Sequence, residues 1–291
     1  MHPRNTLNEL TGREWIKATK SWLICDSRRY HRNRDTELHP ARYPEELVAQ
    51  FLRFFTKRGA WVLDPFCGSG ATLVACLEEG RNGVGVEIGP HYADMARRRL
   101  QDLNGDEAVV LERDARAVAR PETWEGVDGP PRDENGLPRF DFIMTSPPYF
   151  NMLRTSRGGV ESTHKRRAKV GLDTDYGDEP GNLALISDYD QFIEELGSIF
   201  DECARLLRPG RYMVIVAQNV RVPEGYVRPL AWDLAERVGC TLSFQGERIW
   251  CQDSKQLGIW GYPTTFVPNY HHHYCLIFRR RTSDLRPQTS D

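Results

Sequence analysis

The 291-residue sequence predicts an α/β fold, a mostly parallel sheet with helices on both faces. Three observations predict it. Short apolar runs alternate with segments of helical periodicity, a glycine-rich turn follows one of these runs, and acidic residues close three successive runs. The runs are WVLDPF (61–66), NGVGVEI (82–88), AVVLERD (108–114), FDFIMTS (140–146) and RYMVIVAQ (211–218). Each is rich in Val, Ile, Leu or Phe and bounded by Gly, Pro or Asp, as buried strands are. Between them, PEELVAQFLRFFTKRG (44–59) opens on a proline at the first helical position and closes on glycine. Further helical patterns follow in ATLVACLEEGR, HYADMARRRLQDL, YDQFIEELGSIFDECARLLRPG and VRPLAWDLAERVG. TLSFQGERIW (241–250) and YHHHYCLIFRR (270–280) read as two more strands with no helix between them, which pair antiparallel at one sheet edge.

Composition removes several classes. With 40% hydrophobic and 27% charged residues the chain is that of a globular protein rather than a disordered one. No apolar stretch is long enough to cross a bilayer, and MHPRNTLNELTGREW lacks the apolar core of a signal peptide, so a cytoplasmic protein with no membrane association is expected. The seven cysteines form no CxxC pair, which argues against a disulfide framework or zinc ribbon. A net charge of −2 does not mark a nucleic-acid binder as a whole, which leaves local patches to carry any such role.

WVLDPFCGSGATL reads as strand, turn and helix. Gly68 and Gly70 permit close approach of a ligand to the backbone, and the following helix presents its N-terminus. The third glycine of a dinucleotide fingerprint is absent, and so is the GK[ST] of a phosphate loop. Asp64 at the strand end would repel phosphate and welcome a cation. Glu87, closing the next strand, suits ribose hydroxyls, and Asp114, closing the third, suits an adenine amino group. A nucleoside with a cationic tail meets all three, and S-adenosylmethionine is such a molecule.

FDFIMTSPPY ends the fourth strand at the same sheet edge. An exocyclic amine of a nucleobase is a poor nucleophile because its lone pair is delocalised into the ring. Acceptors aimed at its two N–H bonds favour a tetrahedral nitrogen and stabilise the charge that develops. The Ser146 hydroxyl and the Pro147 carbonyl are two such acceptors. Pro147 and Pro148 fix the carbonyl direction, and Tyr149 or Phe150 offers a ring to stack on the base.

These two motifs, Asp64-Pro65-Phe66-Cys67-Gly68-Ser69-Gly70 and Ser146-Pro147-Pro148-Tyr149, resemble the cofactor turn and catalytic motif of the amino-group DNA methyltransferases, which make N4-methylcytosine or N6-methyladenine. HPARYPEELVAQFL resembles the segment that precedes the cofactor turn and encloses the methionine part of the ligand, with Tyr43 and Pro44 as contact positions. FVPNYHHHYCLIFRR resembles the family's closing strand. The resemblance spans residues 36–281. It implies a Rossmann-like class I methyltransferase fold with a seven-stranded, mostly parallel sheet and an antiparallel C-terminal edge strand. It implies S-adenosylmethionine as cofactor, held by Tyr43, Pro44, Asp64, Pro65, Phe66, Gly68, Ser69, Gly70, Glu87 and Asp114, and catalysis by Ser146, Pro147, Pro148 and Tyr149. The serine form of the motif is more usual among cytosine-N4 enzymes and the aspartate form among adenine-N6 enzymes. Cytosine N4 is therefore the expected target, with adenine N6, and RNA methylation at guanine N2 or adenine N6, as alternatives. A non-catalytic cofactor-binding subunit is a third class, against which the intact serine and double proline argue.

The domain organisation expected is a basic N-terminal extension (1–35), a catalytic domain (36–281) and a tail (282–291). Within the domain, the segment 150–187 is polar and glycine-containing, and its first part carries Arg154, Arg157, Lys165, Arg166, Arg167 and Lys169 against Glu161 alone. Basic side chains beside a target pocket suit DNA phosphates. Arg28, Arg29, Arg32 and Arg34 form a second basic cluster, and the acidic run 173–179 can pair with the first in the absence of DNA. A pocket at the sheet edge requires a flipped base or a single strand. Arg248, Trp250 and Lys255 are further candidates for lining this face. The resemblance also implies a restriction–modification setting, with an endonuclease encoded nearby as partner, or an orphan enzyme. In the run His271-His272-His273 a strand puts the outer two on one face. No carboxylate or cysteine stands at ligand spacing, and no metal is expected.

Overall fold

The computed structural model describes residues 2–25, 43–103, 105, 107–150, 181–222, 224–255 and 257–282. In chain order the elements are α1 (Gly12–Ala18), β1 (Trp22–Ile24), α2 (Glu45–Phe55), β2 (Trp61–Asp64), α3 (Ala71–Glu78), β3 (Asn82–Glu87), α4 (Pro90–Gln101), β4 (Ala108–Glu112), β5 (Phe140–Thr145), α5 (Tyr189–Leu206), β6 (Leu207–Ala217), a small hairpin of β7 (Val220–Arg221) and β8 (Val227–Arg228), α6 (Leu230–Gly239), β9 (Ser243–Cys251) and β10 (His272–Arg279). Among the described residues the main sheet has eight strands in the order β1-β9-β10-β6-β5-β2-β3-β4. The run from β6 to β4 is parallel throughout. From β2 the chain builds outward through β3 and β4, then returns to β5 on the other side. The switch point of this doubly wound sheet therefore lies between β2 and β5, where ligands bind in open α/β folds.

The pleat sorts successive strand residues to two apolar layers. Val62, Phe142, Met144, Val214, Val216 and Cys275 pack with α2 on one face. Leu63, Ile143, Met213, Ile215, Leu276 and Phe278 pack with α5 and α6 on the other. The near-continuous apolar reading of these strands follows from burial on both sides. A third cluster, with Leu73, Val74, Ala93, Ala96 and Leu100, joins α3 to α4. Between β4 and β5 the Pro- and Gly-rich connection is pinned by Trp124, which is fully buried, tilts against Phe140 with centroids 5.7 Å apart and donates from Nε1 to the Val118 carbonyl at 2.6 Å.

Three expectations change. The first is the N-terminal extension expected over 1–35, since residues 2–25 are built into the domain. α1 opens on a capping box between Thr11 and Glu14. Trp15 packs on Phe54 with centroids 4.9 Å apart, and Asn8 Nδ2 donates to the Phe54 carbonyl at 2.6 Å. β1 then pairs parallel with β9, an eighth strand beyond the seven expected, because the short apolar run at 22–24 buries Leu23. The second concerns the C-terminal pair. β9 and β10 do pair antiparallel, but β10 lies between β6 and β9 and is itself not at the edge. In the third, β4 ends at Glu112, so Asp114 lies beyond the strand, where it caps a short 3-10 turn, Ala115–Ala117. Pro44 stands at the N-cap of α2, one residue outside the helix.

Replacing Trp124 by Ala opens a cavity and frees the Val118 carbonyl. We expect it to cost about 3–5 kcal/mol of unfolding free energy, read from the denaturant midpoint at constant m-value.

Candidate active site

The site is built where β2 and β5 end side by side. Asp64, the last residue of β2, is 1% exposed, and its carboxylate is the centre of a hydrogen-bonded cluster. Oδ1 accepts from Thr145 Oγ1 at 2.6 Å and from the Phe66 N–H at 3.1 Å. Oδ2 accepts from Thr72 Oγ1 at 2.5 Å and from the Tyr43 hydroxyl at 3.0 Å. Tyr43 and Thr72 also contact each other through their hydroxyls. Burial raises the Asp64 carboxyl above the ordinary carboxylate range despite these bonds. The same burial, with the Asp64 charge beside it, pushes the Tyr43 phenol well up. One side chain thus ties α3, the segment entering α2 and the residue before Ser146 to the end of β2.

The glycine turn is held from behind. The Cys67 N–H donates to the Val86 carbonyl and the Gly70 N–H to the Cys67 carbonyl, both at 2.9 Å. Glu87 Oε2 takes the Gly68 N–H and Oε1 the Gly89 N–H, each at 2.8 Å. Arg99 of α4 donates to the Ser69 carbonyl at 2.5 Å and pairs with Glu45 of α2. Gly70, at φ +81°, caps α3, and a Cβ there would stand 3.0 Å from that of Ala96. Gly85 matters equally: a Cβ there would stand 2.5 Å from Cys67 Sγ, so only glycine lets the turn settle on β3.

On the far side of the switch point, Ser146 follows β5, half-buried, beside the Tyr149 hydroxyl. That hydroxyl also meets His273 Nδ1 at 3.2 Å. His273 stacks on Trp250 with centroids 4.5 Å apart and planes 23° apart. Trp250 in turn is buried and donates from Nε1 to the Cys25 carbonyl at 2.7 Å. Burial, with the Lys255 and His272 charges nearby, pushes the His273 imidazole down to about 3, so it is neutral at physiological pH.

Several sequence expectations are revised by this geometry. Asp64 was read as facing a cation; its oxygens are instead turned inward onto four donors, because three hydroxyls and an N–H converge there. Neither Tyr149, 4% exposed, nor Phe150, 8% exposed, offers an open ring. Phe150 packs edge-on against Tyr189 of α5 at 5.2 Å and against Phe192 at 5.5 Å. Asp114 is engaged by the Arg116 N–H at 2.9 Å and the Arg116 guanidinium at 3.0 Å, and Arg116 reaches on to the Gly181 carbonyl at 2.6 Å. Arg248 donates to the Lys20 carbonyl and Lys255 to the Tyr270 carbonyl, while Trp250 is core. The histidine run divides. His271 bonds the Asn269 and Lys255 carbonyls, His272 the Tyr274 hydroxyl, and His273 the motif tyrosine. Pro44, Pro65, Pro147, Gly68, Ser69 and Gly70 are buried in the frame, whereas Phe66, Glu87 and Pro148 are partly open. Arg154, Arg157, Lys165, Arg166, Arg167 and Lys169, with Arg28, Arg29, Arg32, Arg34 and the acidic run, lie outside the described residues. Thr72, Thr145 and His273 were not anticipated as site residues. The alternation of the strand opening at His272, which sets His273 opposite its neighbours, is the one signal that could have pointed to His273.

The match to a family model lies in the first third of the chain. Residues 6–98, from α1 through the glycine turn to α4, match the family model described as DNA methylase. This part of the chain is similar to the DNA methylase family. The Type II methyltransferase M.Cfr9I of Citrobacter freundii is 48% identical over 73 residues, 25% of this chain and 23% of that protein. The Type II methyltransferase M.MthZI of Methanothermobacter thermautotrophicus is 35% identical over 101 residues, 34% of this chain and 28% of that protein. The aligned part thus spans less than a third of either DNA methylase relative. A solved SAM-dependent O-methyltransferase from Thermotoga maritima superposes with a TM-score of 0.46 at 13% identity, over 85% of this chain and 69% of that one. Among the described residues no helix is long and apolar enough to cross a membrane.

Because the folded-state value of His273 lies below the unfolded value of 6.5, its contribution to stability is complete above pH 6.5 and is lost as pH falls towards about 3. His273→Phe should therefore flatten the fall of the urea midpoint between pH 7 and 4.5 relative to the parent protein. Parallel curves would remove His273 as a cause.

Proposed function

We propose that this protein transfers a methyl group from S-adenosylmethionine to the exocyclic amine of a DNA base, cytosine N4 in the first instance. The observation that carries the reading is the hydrogen bond from Thr145 to Asp64, which ties the serine motif to the glycine turn across the switch point. The DNA methylase segment at residues 6–98 supports the same reaction class.

The turn suits the proposed cofactor. Glu87 ends β3 and Asp114 stands just past β4, no lysine or arginine belongs to the turn itself, and Arg99 approaches from behind with its charge met by Glu45. A pyrophosphate finds no cation there, whereas a nucleoside carrying positive charge meets carboxylates. When bound, S-adenosylmethionine would supply an electrophilic methyl group. Glu87 would receive the ribose hydroxyls. Phe66, half-open and edge-on to Phe200 at 6.1 Å, would flank the ligand.

The serine motif supplies the other half. In the tautomer that carries its proton on Nε2, a neutral His273 accepts at Nδ1, Tyr149 donates to it, and Tyr149 can then accept from Ser146. With its proton directed to Tyr149, Ser146 keeps its lone pairs for an amine N–H of the base. The Pro147 carbonyl would take the second N–H, in a direction fixed by the double proline. Acceptors set in place before the reaction stabilise the charge growing on the amine without reorganising. His273 acts here as a positioning residue, through Tyr149.

The test is transfer of labelled methyl groups from S-adenosylmethionine to DNA or to tRNA. Label in DNA with N4-methylcytosine among its nucleosides is expected. N6-methyladenine would move the target, and label in RNA alone would refute the reading. Ser146→Ala should lower the transfer rate by ~100-fold or more while leaving cofactor affinity within a few-fold, since it removes one transition-state acceptor. Equal loss of both would remove the role given to Ser146.

A further inference from the structure

The connection from β9 to β10 leaves and re-enters the sheet at the reactive edge. His272, where β10 begins, pairs with Cys251, where β9 ends, and the next residue is the His273 that touches Tyr149. The connection is a built loop. Asn269 bonds Gly258 in both directions, at 2.8 and 2.9 Å, and also takes the Trp260 indole N–H at 3.2 Å. His271 Nε2 meets the Lys255 carbonyl at 2.9 Å, and Lys255 Nζ donates to the Tyr270 carbonyl at 2.7 Å. Beyond this clamp the Thr264 and Thr265 N–H groups close a turn onto the Gly261 carbonyl.

This braced loop displays apolar side chains to solvent. Leu257 is 80% exposed, Ile259 87%, Tyr262 82% and Phe266 87%. Such exposure of large apolar groups in one loop needs a partner. From 257 to 269 the sequence has no charged residue, so nothing there repels or neutralises phosphate. Phe266 is six residues from His272 and so at most ~20 Å from it, within reach of a duplex engaged at Ser146. Taking a base out of a duplex leaves a gap in the stack, and proteins that open base steps fill them with side chains such as Phe, Leu and Ile.

We propose that the loop segment 257–271 is the wedge that enters the base stack of duplex DNA, with Tyr262 and Phe266 filling the place of the extruded base. The proposal rests on the DNA-methylating reading above. It commits to duplex DNA because the loop overhangs the edge to which the substrate must come.

The test uses the full chain and a duplex oligonucleotide carrying a site that the parent protein methylates. Two versions are compared, one with the target base normally paired and one with it opposite an abasic position, where less stacking and pairing must be undone. The double variant Tyr262→Ala, Phe266→Ala should methylate the paired duplex about 10- to 100-fold more slowly, and the abasic duplex within about 3-fold of the parent. Tyr262→Phe, Phe266→Tyr should keep most of the rate on paired duplex. The unfolding midpoint should not move, since both side chains face solvent. No loss on either duplex, or equal loss on both, would overturn the wedge. Equal loss with a change in sedimentation would assign the surface to self-association instead. A parent protein that methylates neither duplex nor any other DNA would refute the underlying reading, and the wedge with it.

Discussion

One buried carboxylate organises this molecule. Asp64 sits at the switch point with donors from β5, α3, the segment entering α2 and its own turn bonded to its two oxygens. Desolvation alone would make such a group expensive, and only near-complete satisfaction makes it tolerable. The arrangement is therefore close to all-or-nothing: loss of a donor leaves charge or lone pairs buried without compensation. The end of β5 has little freedom relative to the end of β2. Fixed geometry of that kind is what a reaction between two bound molecules requires, because small misplacements are costly in rate.

The rest of the site follows the same economy of rigid parts. The glycine turn is gripped by Glu87, Arg99 and the notch at Gly85. Tyr149 of the serine motif is held by a histidine that burial keeps neutral. The polar side chains that face inward act on their neighbours, and few groups are left to meet a ligand directly.

Much of this was legible in the sequence. The strand and helix alternation, the turn from Asp64 to Gly70 and the Ser-Pro-Pro-Tyr edge are local patterns, and the parallel sheet with its switch point follows from them. What was not legible depends on direction. Asp64 at a strand end looks like a ligand contact, and only the convergence of Thr145, Thr72 and Tyr43, distant in sequence, shows that it turns inward. Tyr149 and Phe150 look like stacking rings until α5 and β10 close over them. The separate partners of His271, His272 and His273 likewise depend on contacts that the run of three does not announce. β1 escaped notice because three residues carry almost no periodicity, and what defines it is the register with β9.

That short strand has a consequence for how the protein survives in solution. An open sheet ends in rows of unpaired N–H and C=O groups that invite other chains. β1 covers β9, and Leu23 seals the apolar layer beside Trp250. It covers the last three residues of β9, Ile249–Cys251, with a strand itself only three residues long. The first twenty-five residues thus serve as an edge guard. Shortening the chain from its N-terminus would uncover the end of β9 and should promote self-association through the freed backbone.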